Sequence, residues 1–179
     1  MAFLYYLKEF QTLVAGAVGF AGVIATLAHN ASVSRNQRAE ERAHERNTLR
    51  AALLAELKIN RDAIRENLDR VKEGAYDKAA GVLVPTDSID DVYRAFLPQI
   101  GLLPEDDASK VMTAYLSMEA HIARLYLIGS VSGEVSQYVK LTGESISMAR
   151  DMQERLLEPL GLAIDALQAS SAQNTGTRK

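Results

Sequence analysis

The stretch FQTLVAGAVGFAGVIATLA, Phe10–Ala28, decides how the rest of the chain is read. It is almost wholly apolar, and no Asp, Glu, Lys or Arg occurs between Glu9 and Arg35. A helix rises about 1.5 Å per residue, so roughly 20 apolar residues match the hydrocarbon core of a bilayer. The run therefore predicts a transmembrane helix over residues 10–30, preceded by a short leader, residues 1–9. A secretory signal is the competing reading. Its apolar region is shorter, about 7–15 residues, follows a basic segment and ends at a small-residue cleavage site. Here Lys8 is offset by Glu9, and Thr26-Leu27-Ala28 makes a poor cleavage site, so a retained anchor is expected.

Small residues mark one side of this segment. Thr12, Ala15, Gly19, Gly22 and Thr26 recur at steps of 3, 4, 3 and 4. Helices in lipid associate by close packing, which small residues permit, so the stripe predicts self-association. The plainer alternative is that Gly is common in membrane helices; no strict GxxxG occurs.

Orientation follows from basic residues near the ends of the span. Lys8 stands on one side and Arg35, Arg38, Arg42 and Arg46 on the other. The N-terminus is then expected outside and the remainder in the cytoplasm, at a bacterial-type inner (plasma) membrane. The four arginines are expected to meet anionic lipid headgroups, each contact being worth about 1 kcal/mol; a solvated helix face is the alternative. The chain has no cysteine, which fits a reducing compartment and a disulfide-free extracytoplasmic one equally.

Residues 31–48 are polar nearly all round and rich in Ala, Arg and Glu, with neither Gly nor Pro. Strong helix formers without an apolar face predict a solvated stalk continuing the anchor. About 150 residues follow position 30, enough for one domain with a core. Net charge is −3 but uneven: residues 31–72 hold 10 Lys/Arg against 7 Asp/Glu, and residues 73–107 hold 2 against 8. No basic stripe interleaved with aromatics occurs, so nucleic acid is not an expected partner.

Helical periodicity organises residues 49–168 into a bundle of about four helices, with a disordered tail over residues 169–179. Leu53, Leu57, Ile64, Leu68 and Val71 share a face, with Asn60 in the gap and Glu56 and Asn67 beside it. A break runs from Gly74 to Pro85, where Gly81-Val-Leu-Val-Pro85 is extended but has no evident strand partner. Ser88-x-x-Asp91 resembles a capping box, predicting a helix from Ser88 that Pro98 ends. Pro104 and the acids Glu105, Asp106 and Asp107 open the next helix. Its seam is Ala108, Val111, Tyr115, Met118, Ile122 and Leu125, flanked by Met112, Glu119 and Tyr126. Gly129–Gly133 reads as a loop. The last helix is predicted over 134–167, its face formed by Val135, Val139, Thr142, Ile146, Ala149, Met152, Leu156, Leu160, Ala163 and Leu167, with a kink at Pro159.

Chemical signatures are sparse. Glu41-x-x-His44 matches one unit of a di-metal carboxylate bundle, but such sites need two units and two further Glu. His121 lies at the seam margin with Arg124 nearby; catalysis would also need a nucleophile and an orienting carboxylate. Gly129–Gly133 misses the G-x-S-x-G elbow, having Val131 at its centre. No P-loop, dinucleotide fingerprint, HExxH or CxxC is present. Glu56, Asn60, Asn67 and His121 form a possible buried polar pocket, although buried polar groups are usually paired structurally.

The expectation is an all-α chain: one N-terminal transmembrane helix continuing into a stalk, then a compact helical bundle. No cofactor and no catalysis are expected. The role that fits is a membrane-anchored assembly or adaptor protein whose partners are membrane lipid and either further copies of itself or another protein. The alternatives are a small-ligand sensor bundle on the extracytoplasmic side and an oligomeric, membrane-permeabilising effector.

Overall fold

The computed structural model describes the backbone of residues 2–72, 80–131 and 137–176, and side chains within 26–72 (28 and 31 excepted), 80–130 and 137–170. In order the elements are α1 (Ala2–Arg70), β1 (Val82–Pro85), α2 (Asp91–Phe96), a 3₁₀ helix (Leu97–Leu102), α3 (Glu105–Ile128), β2 (Ser130–Val131), β3 (Tyr138–Leu141) and α4 (Glu144–Gly176). The chain is mostly helical, as its periodicity predicts. It divides into two compact units, residues 1–44 and 45–179.

The first unit is the N-terminal part of α1. Among the described residues no helix is long and apolar enough to cross a membrane. Most side chains of the predicted span, those of Thr12, Ala15, Gly19 and Gly22 among them, lie outside the described residues; Thr26 is exposed. Arg35, Arg38 and Arg42 are exposed on α1, whereas Arg46 is half-buried in the second unit.

In the second unit α1, α3 and α4 bury their apolar faces together. Leu49, Leu53 and Leu57 of α1 meet Val111, Ala114, Tyr115 and Met118 of α3 and Leu156, Leu160, Ala163, Ile164 and Leu167 of α4. Ile146, Ala149, Leu156, Leu160, Ala163 and Leu167 lie on the predicted α4 face and are buried. On α3 the buried face is rotated from the predicted seam. Asp107, Ala114 and His121 are inside, while Ala108 and Ile122 are only half-buried and Met112 and Tyr126 are exposed.

A second apolar cluster surrounds a small sheet that the helical reading does not contain. β3 lies between β1 and β2, antiparallel to both. Val82 pairs with Leu141 and Val84 with Val139, so the extended run at 81–85 finds its partner far along the chain. Val139 and Leu141 are buried with Val71, Val84, Leu125, Ile146 and Ala149. The last helix therefore starts at Glu144, not at 134. Tyr138-Val-Lys-Leu141 alternates exposed and buried residues, the period of a strand. A step of four from Val135 to Val139 satisfies either period, which is why the helical pattern extends falsely upstream.

Three further boundaries differ from expectation. α2 ends at Phe96, just before Pro98 as expected, but the chain goes on into a 3₁₀ helix instead of a turn, with Pro98 near its start, where the missing N–H is tolerated. α4 carries Pro159 in its interior and continues to Gly176, past the predicted disordered tail at 169. Within this extension Ser170 is tied to the rest of the unit: its hydroxyl donates to Asp107 Oδ2 at 2.7 Å, and its carbonyl accepts from Arg50 at 3.4 Å. Ser130–Val131, read as loop, is β2.

Gly129 joins α3 to the sheet at close quarters. A Cβ there would stand 2.0 Å from Val139 Cγ1 and 3.0 Å from the Lys140 carbonyl. Gly129→Ala is expected to lower stability by about 1–3 kcal/mol, the usual cost of overpacking. Gly161→Ala on α4, where nothing lies within 4 Å, is expected to raise it by about 0.5–1 kcal/mol through helix propensity. Urea unfolding of the two variants should therefore move in opposite directions.

Candidate functional site

Polar side chains collect where the two apolar clusters meet. Along α1 the order is Leu57, then Asn60 and Asn67, then Val71; along α3 it is Met118, His121, Leu125; along α4 it is Ala149, Gln153, Leu156. Along each helix these polar residues thus form a layer at positions between the helical core and the core beneath the sheet, with Ile64 of the helical core among them on α1. This layer encloses a cavity of about 50 Å³, lined by Asn60, Ala63, Ile64 and Asn67 of α1, the segment Pro85–Ser88, Met118, His121 and Ile122 of α3, and Gln153 and Leu156 of α4. Its mouth is partly open, and including that opening the space is about 410 Å³.

Two of the four expected pocket residues do structural work. Asn60 donates through Nδ2 to the Ile89 carbonyl at 2.6 Å and accepts the Ile89 N–H on Oδ1 at 3.0 Å. It also donates to the Glu56 carbonyl, so the side chain at the cavity edge is committed to holding the chain that enters α2. Glu56 does not line the cavity. Its carboxylate accepts the N–H of Val92 at 2.7 Å and of Tyr93 at 3.0 Å, together with the Tyr115 hydroxyl.

Glu56 thereby caps α2 from another helix. The first turn of any helix leaves N–H groups unpaired, and Asp90, at the N-cap of α2, makes no side-chain cap bond. Asp90 instead accepts from Arg94 at 2.7 Å. The capping box expected at Ser88-x-x-Asp91 is not what begins this helix; it starts at Asp91 under the Glu56 carboxylate. Tyr115, whose ring stacks on Tyr93 at 3.9 Å between centroids, has its hydroxyl pKa pushed up by burial and by the Glu56 carboxylate. It stays protonated and donates.

His121 and Gln153 are different. His121 is 8% exposed and Gln153 1%, yet His121 Nδ1 and Gln153 Oε1 are buried with no hydrogen-bond partner. Burial, then the positive charge of Arg124, lowers the His121 pKa to about 4, so the imidazole is neutral at pH 7. Asn67 is half-buried at the cavity wall. The structure thus brings Asn60, Asn67 and His121 to one cavity and leaves Glu56 behind it. Gln153, between Ala149 and Leu156 on the α4 face, is a buried polar lining residue that periodicity does not single out.

A second buried polar group lies elsewhere in the unit. Arg50 of α1 faces Asp107 of α3 at 3.6 Å, both deeply buried, and Ser170 of α4 joins them. Asp107, read as one of three acids favouring the helix dipole, is thus also the anchor that ties three helices. Glu41 and His44, the lone carboxylate–histidine unit, are both exposed. Among the described residues no group of three or more potential metal ligands stands together.

Comparison with protein-family models, with curated proteins and with solved structures finds no match to this chain.

Proposed function

We propose that this protein is a single-pass, membrane-anchored assembly or adaptor module whose helical unit works noncatalytically on the cytoplasmic side. The observation that carries the reading is the charge-free run Phe10–Ala28, long enough for a bilayer core and set within α1. The exposed Arg35, Arg38 and Arg42 support it, since they stand where anionic headgroups would meet the helix. The small-residue stripe Thr12, Ala15, Gly19, Gly22 and Thr26 supports lateral self-association. The helical unit then supplies partner specificity.

Fractionation tests the anchor. The full chain is expected in the membrane pellet after alkaline carbonate washing, with its C-terminal tag protected from protease in intact spheroplasts. Recovery in the soluble fraction would overturn the anchor, and digestion of the tag would favour the extracytoplasmic sensor instead. Val18→Arg combined with Ile24→Arg is expected to release the chain, because a central charge costs about 2.5–3.5 kcal/mol on insertion scales. Gly19→Leu with Gly22→Leu should lower crosslinked oligomer while leaving membrane recovery intact. Ion leak on overexpression, sensitive to that same pair, would point to the permeabilising effector.

A further inference from the structure

We propose that the cavity between the two apolar clusters is a binding site for a small, uncharged, carboxamide-class ligand, held by Gln153 and His121. This inference is independent of the membrane anchor. Buried polar atoms are nearly always paired, and an unpaired one carries its full desolvation cost. Here two such atoms, His121 Nδ1 and Gln153 Oε1, belong to side chains that line one cavity from two different helices. Neither atom completes a bond with the protein, and the space their side chains border is larger than one water needs, so a side-chain rotation that admits a ligand would meet that missing bond.

The chemistry of the lining narrows the ligand. No Lys or Arg lines the cavity, and its single carboxylate, Asp87, is exposed. The rest of the lining is therefore uncharged, and a charged group placed away from Asp87 would be desolvated without a counter-ion. Gln153 Oε1 is an acceptor and needs an N–H or O–H. His121, neutral at pH 7, offers Nδ1 as donor or acceptor according to its tautomer. A primary carboxamide serves both tautomers: its NH₂ meets Gln153, and either its carbonyl or its second N–H meets His121. Ile64, Met118, Ile122 and Leu156 supply apolar walls for a short aliphatic stem.

The test titrates the full chain, ¹³C-labelled at histidine Cε1 and held in detergent micelles, with propionamide, propionate and propylammonium. Propionamide should shift the His121 resonance saturably, with a Kd on the order of millimolar, as suits so few atoms. The two charged analogues should leave it unmoved. Gln153→Leu should abolish the shift while the melting temperature holds or rises, because an unpaired polar group has been replaced by an apolar one. Ala63→Leu, an exposed substitution at the cavity wall, should weaken binding at least tenfold with the fold unchanged. Absence of saturation with propionamide, equal shifts with the charged analogues, or undiminished binding in Gln153→Leu would each overturn the proposal.

Discussion

Glu56→Ala is expected to cost about 4 kcal/mol of stability, the larger of the two strongest effects. The carboxylate is buried and accepts from Val92 N, Tyr93 N and the Tyr115 hydroxyl. Truncation strands two N–H groups in the first turn of α2 and one buried hydroxyl, each losing a bond to a charged acceptor worth about 1.5–3 kcal/mol. Water entering the vacated space recovers part of that sum. Glu56→Gln should be intermediate, since its amide oxygen accepts on one side while its NH₂ faces a donor on the other. Tyr115→Phe isolates one bond; a double-mutant cycle with Glu56→Ala should return a coupling energy of about 1–3 kcal/mol. Equilibrium urea unfolding of the wild type and these four variants gives the values. A loss for Glu56→Ala no greater than that of an exposed substitution such as Glu66→Ala would remove Glu56 as the cap of α2.

Acidification should destabilise the helical unit through His121. Its folded pKa, about 4, lies below the ordinary histidine value of 6.5, so below pH 6.5 the unfolded chain binds a proton that the folded chain refuses. Stability is then fully present above pH 6.5, falls as pH drops, and the loss is complete below about pH 4. The slope is about 1.4 kcal/mol per pH unit, giving about 2 kcal/mol between pH 7 and pH 5. His121→Gln should remove that portion of the pH dependence while other titrating groups continue to act in both proteins. Parallel urea midpoints for the two proteins across pH 7 to 5 would show that His121 is not held neutral. A carboxamide occupying the cavity should leave the sign of the slope unchanged, because an uncharged ligand does not relieve the desolvation of imidazolium.

These effects mark the limit of what periodicity reveals. Leu53, Leu57 and the α4 positions Ile146 to Leu167 are legible because burial repeats at helical spacing and needs no distant partner to be recognised. Asn60 and Glu56 are legible as polar residues on or beside an apolar face, but not their partners. Those partners are backbone groups of residues 89, 92 and 93, which lie 29, 36 and 37 positions away, and the Tyr115 hydroxyl, 59 away. Asp107 carries a first-turn acid signature that conceals its pairing with Arg50. Gln153 interrupts the α4 face without any local signal that it borders a cavity. Tyr138–Leu141 is misread because spacing of four residues suits both periods, and only pairing with Val82–Pro85 selects the strand.

The sequence by itself determined the mostly helical architecture, since side-chain periodicity and helix propensity act within a few turns of one segment. It also set out the uncharged apolar run at the N-terminus and the basic stretch after it. Tertiary structure alone decided the three-stranded sheet, the capping of α2 by Glu56 and the meeting of His121 with Gln153 at one cavity. Each of those depends on groups far apart in sequence being brought within hydrogen-bond reach or onto a shared wall, and no local pattern encodes that separation.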